Sequence, residues 1–70
     1  MISNDTELKV TLQRVESFQL QLAELRRKET NPSNYRLAAL GFLAELDRMN
    51  LDVRDYLSML PSEIEQTTKQ

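Results

Sequence analysis

From Asn31-Pro32 to Leu60 nothing after the opening proline breaks a helix, and the stretch carries apolar residues at Tyr35, Ala39, Phe42, Leu46, Met49, Val53, Tyr56, Leu57 and Leu60. Most of these steps are of three or four residues. At about 100° of rotation per residue they stack along one side of an α-helix. Asn31-Pro32 supplies the start, because proline at the first helical position gives up an N–H that would have no partner anyway. Pro61 supplies the stop, because it pushes the residue before it out of the helical region. The pattern therefore predicts one helix over about 32–59.

The same segment has a second apolar side. Leu37, Leu40, Ala44 and Leu51 project roughly opposite the main stripe by the same rotation. Between Leu37 and Ala44 the helix is apolar all round. A helix of that kind is buried all round, and one neighbouring helix cannot achieve this. Gly41 sits in the middle of the segment at a cost of about 1 kcal/mol of helix propensity. It would let another backbone approach closely, or it is a tolerated defect or a kink.

The N-terminal half reads as a helix over about 5–29. Asn4 can cap it, with Glu7 three residues on as the capping-box partner and Ser3 as a competing cap. Leu8, Leu12, Val15, Phe18, Leu22 and Leu25 make its stripe, with Val10 and Leu20 off it. Arg26-Arg27-Lys28 suits the negative end of the helix dipole. The link Thr30-Asn31-Pro32-Ser33 is short enough to make the two helices antiparallel neighbours, with Ser33 a competing cap for the second. The expected architecture is all-α: a two-helix antiparallel hairpin over 1–60 that dimerises into a four-helix bundle. Residues 61–70 read as a flexible, polar tail.

Size sharpens the expectation of dimerisation. A core in 70 residues rarely supplies more than about 3–5 kcal/mol. Small folds turn to disulfides, metals or association. Cysteine and histidine are both absent, which removes disulfides and the ordinary zinc ligand sets. Association remains, and Leu37, Leu40, Ala44 and Leu51 are the expected interface.

The same absences remove a nucleophile–base pair, and a single glycine cannot build a phosphate loop. Glu45, Asp52 and Asp55 along one side of the second helix are the remaining acid–base candidates. The plainer reading is a solvated face with Arg48 and Arg54 as ionic neighbours. No catalytic, cofactor or metal site is expected.

The charge is −2 from 9 basic and 11 acidic residues, a mixed solvated surface. Arg26-Arg27-Lys28 is the one basic cluster, and three charges give little salt-dependent affinity for nucleic acid. No run is apolar and long enough to span a bilayer, and Met1 to Asp5 lacks the features of a secretion signal. A cytoplasmic location is the expectation. Phe18 and Phe42 read as core. Tyr35 and Tyr56 read as residues that keep their hydroxyls at the edge of the core.

Two stretches carry a likeness. Met1-Ile2-Ser3-Asn4-Asp5-Thr6-Glu7-Leu8-Lys9-Val10-Thr11 followed by Phe18, and Glu45-Leu46-Asp47-Arg48 through Asp52-Val53-Arg54-Asp55-Tyr56, resemble a group of small bacterial proteins. In that group a helical hairpin stands alone or precedes a helix-turn-helix domain of the Xre regulator and antitoxin type. The resemblance implies an accessory or dimerisation module linked to a toxin–antitoxin or transcriptional system. It transfers no site residues, because the group has no catalytic motif. The functional expectation is a non-catalytic interaction and oligomerisation module that forms a homodimer or binds another protein. The alternative is a nucleic-acid-binding regulator, against which the acidic balance argues.

Overall fold

The structure, a computed structural model, describes residues 1–60. The proposed stop at Pro61 and the tail 61–70 lie outside them. Two helices make the fold: α1, Asp5–Lys28, and α2, Pro32–Leu57. The chain reverses over Glu29–Asn31, so the helices pack antiparallel. Phe18 meets Phe42 near the turn, with ring centroids 5.7 Å apart at 71°. At the open end Tyr56 reaches Asp5.

Local chemistry sets both helix starts. The Asn4 side chain accepts the Glu7 N–H at 2.8 Å. The Glu7 carboxylate reaches back to the N–H and the hydroxyl of Ser3, at 2.9 and 2.8 Å. Ser3 is thus not the cap but completes a reciprocal clasp displaced by one residue from the usual capping box. These two hydrogen bonds, the backbone one first, hold the Glu7 pKa below its ordinary value. Asn31 caps α2 by accepting the N–H groups of Ser33 and Asn34, at 2.9 and 3.3 Å, and its own N–H donates to the Glu29 carboxylate at 3.0 Å. Asn31, not Ser33, therefore performs the capping.

α1 closes at Lys28, with Glu29 as an extended C-cap. α2 stops at Leu57, short of the expected Met59. The Ser58 N–H still bonds Arg54, but the Met59 N–H turns to the Tyr56 carbonyl, a tighter final loop.

Two apolar clusters hold the hairpin. The central one joins Val15 with Leu46 and Met49, flanked by Phe18 and Leu22. The other closes the open end: Ile2 and Tyr56, with Leu8, Val53 and Met59 against them. Ile2 lies ahead of the first cap and outside any helical stripe, yet it is buried. Ala39 is the most deeply buried residue, at 2% exposure.

Three stripe positions are exposed instead of packed. Leu12, Leu57 and Leu60 all lie open. Leu57 is in the last turn of α2 and Leu60 lies beyond it, across from the start of α1. Leu12 sits on the flank of its stripe, about 60° from Val15 by helix geometry. The space beside Gly41 is also open: a Cβ there would meet nothing within 4 Å. Within the hairpin, then, no backbone approaches closely at Gly41.

Candidate association surface

α2 presents two apolar sides, and α1 covers one of them. Ala39, Leu46, Met49 and Tyr56 point at α1 and are buried. On the opposite side Leu37 is 74% exposed, Leu40 63% and Leu51 53%, and Ala44 is exposed as well. The structure places all four sequence-predicted positions along a single strip of one rigid helix. It adds Leu43, 45% exposed, which sits on the flank of the strip at right angles to the core. Leu43 lies in the segment apolar all round, and that was the signal for it. Contiguity matters here, because scattered surface leucines are ordinary and a run of them on one face is not.

Near the start of α2 the strip includes a shallow hollow of about 520 Å³ lined by Ser33, Tyr35, Arg36, Leu37, Ala39, Leu40 and Leu43. A larger hollow, about 820 Å³, lies along α1 and is lined by Gln13, Glu16, Ser17, Leu20, Gln21, Glu24, Leu25 and Phe42. Five of its eight lining residues are polar, while Leu20, Leu25 and Phe42 leave much of its surface apolar.

The charges around the strip divide into two kinds. Arg48 pairs with Glu45, one helical turn earlier, and its pKa is raised by that hydrogen bond and by the Glu45 charge. Arg54 lies 3.9 Å from Asp55. Arg36 and Asp47, by contrast, form no hydrogen bond or ion pair among the described residues.

Two of the three carboxylates considered for acid–base work have basic neighbours. Glu45 is held by Arg48, Asp55 lies beside Arg54, and no group of three or more potential metal ligands exists among the described residues. The basic cluster is also partly neutralised at home, since Arg27 and Lys28 both pair with Glu24. Among the described residues no helix is long and apolar enough to cross a membrane.

One polar contact lies within the open-end cluster. The Tyr56 hydroxyl donates to the Asp5 carboxylate at 2.6 Å, and that bond is the main reason its pKa is raised. Desolvation and the charges of Asp5 and Glu7 push the same way. The hydroxyl thus faces a specific partner rather than open water.

No protein-family model, curated protein or solved structure matches the chain.

Proposed function

We propose that this chain is a protein-interaction module whose working surface is the outward strip of α2, and that two hairpins associate through it into a four-helix dimer. A single observation carries the reading. Leu37, Leu40 and Leu51, at 74%, 63% and 53% exposure, lie on one side of a helix whose other side is already packed on α1. Fully burying a leucine contributes about 1.5–3 kcal/mol. For a core this small, that gain is of the same order as everything the isolated hairpin can hold in reserve. Association also costs several kcal/mol in lost freedom of motion, so the expected dimer is a micromolar one.

The resemblance of the N-terminal segment and of residues 45–56 adds a setting: an accessory part of a toxin–antitoxin or transcriptional system. The nucleic-acid reading gains nothing from Arg27 and Lys28, which are already engaged with Glu24.

Sedimentation equilibrium at micromolar concentrations tests the proposal. The parent chain is expected to dimerise. Leu40→Glu is expected to be monomeric with unchanged helix content, because it places a charge on the strip at a side chain that is mostly in water within the hairpin. A parent chain that stays a folded monomer up to about 100 μM, where a micromolar constant would give dimer, would overturn it.

A further inference from the structure

Resting on the association proposed above, we infer that the occupant of the strip is a second copy of α2. It runs antiparallel in one register, with Leu40 over the partner's Ala44 and Arg36 beside the partner's Asp47.

The spacing of the strip supplies the first half of the argument. Positions 37, 40, 44, 47 and 51 recur in steps of three and four, the rhythm of a seam between two packed helices. Four of the five are apolar. Asp47 is the exception, and it decides the orientation. In a parallel pair each residue meets its own copy, so Asp47 would face the partner's Asp47 within the seam. Arg48, the nearest cation, points to the other flank and is held there by Glu45.

An antiparallel pair brings each flank against the same flank of the partner. Arg36 and Asp47 are both on one flank: they differ by about 20° around the helix axis. With Leu40 level with the partner's Ala44, the Arg36 side chain comes within one residue of the level of the partner's Asp47. The two-fold axis repeats the contact, so both charges left without a partner in the hairpin gain one, twice per dimer. The same register sets a large side chain on a small one at the centre, and Gly41 beside the axis leaves open space for the approach. Such pairs choose orientation more than they add affinity. The apolar strip supplies the attraction, and the charges select among the ways of using it. The assembly is then a row with the two α2 helices at its centre and one α1 on each outer side.

Two measurements test this together. Arg36→Asp and Asp47→Arg are each expected to weaken self-association by roughly tenfold, given two exposed pairs per dimer turned repulsive. The double variant Arg36→Asp/Asp47→Arg is expected to recover most of that loss, with helicity unchanged throughout. The chain lacks cysteine, so introduced thiols report cleanly. Ser33→Cys refolded together with Asp55→Cys is expected to crosslink through a short bis-maleimide. Ser33→Cys alone is not, because the two sulfurs would stand about 27 Å apart along the axis.

Dimers in which Ser33→Cys crosslinks to itself, or in which the charge swap fails to rescue, would overturn the antiparallel register and leave the association reading intact. A chain that never dimerises would overturn both.

Discussion

Both sides of α2 carry a row of apolar residues, yet one is a core and the other a surface. Towards α1 the helix shows Ala39, Leu46, Met49 and Tyr56, all buried. Away from it the helix shows Leu37, Leu40, Ala44 and Leu51, all exposed. What separates them is that α1 supplies a single complementary stripe, which can be spent on one side only. Burial is a property of a pair of surfaces, and half of α2 lacks its pair within the hairpin. The inner side should therefore govern whether the hairpin folds, and the outer side whether hairpins meet.

The largest effect expected is on the inner side. Leu46 belongs to the central cluster with Val15 and Met49, so Leu46→Ala removes buried methyl groups and leaves a cavity, at a cost of about 2–5 kcal/mol. A hairpin with about 3–5 kcal/mol in hand should then be largely unfolded at room temperature. Leu40→Ala, with most of its side chain already in water, should cost the isolated hairpin no more than about 0.5 kcal/mol. Urea unfolding at a concentration well below the dimer constant makes the comparison. Similar losses for the two variants would erase the distinction between the sides.

A smaller effect, of opposite sign, is expected at Gly41. Its Cβ would enter open space and the residue lies in mid-helix. Gly41→Ala should stabilise the dilute hairpin by about 0.5–1 kcal/mol through backbone entropy alone. A thermal melt that drops instead would mean that the backbone there needs more freedom than a plain helix does.

Most of the hairpin was legible because the informative signals are local. Asn4 and Asn31 cap where side-chain oxygen followed by free N–H groups demands it, and the three–four spacing points Val15, Leu46 and Met49 the same way in any helix. What was not legible depends on reach rather than direction. Leu57 and Leu60 continue the rhythm of α2, but α1 begins too late in space to cover them. Ile2 obeys no rhythm, and it is buried because the turn ahead of the cap folds it onto Tyr56. Ile2 stands two residues before the Asn4 cap, one further out than the residue of a hydrophobic staple, so the usual start pattern does not point to it. On the outer strip, Leu37, Leu40, Ala44 and Leu51 could be read from the sequence. The unpaired state of Arg36 and Asp47 could not, because it depends on which neighbours the other charges had already taken.

The smallest effect concerns the polar contact between Tyr56 and Asp5 on the inner side. Tyr56 donates to Asp5, and its pKa in the folded hairpin lies above the ordinary value, chiefly through that bond. The unfolded chain has no such bond, so its tyrosine loses the proton first as pH rises. Stability from this contact is therefore fully present below the unfolded pKa of about 10. It drains away as pH climbs through the raised folded value, where a phenolate would face a carboxylate inside the open-end cluster. Tyr56→Phe keeps the ring and deletes the donor, so it should melt slightly lower than the parent near neutral pH. That difference should shrink between pH 10 and 12, because the variant has no proton to lose at this site. Melting curves of the two proteins recorded across that range decide the point. If the gap between them stays constant, Tyr56 and Asp5 are neighbours without being coupled, and the open end is held by its apolar contacts.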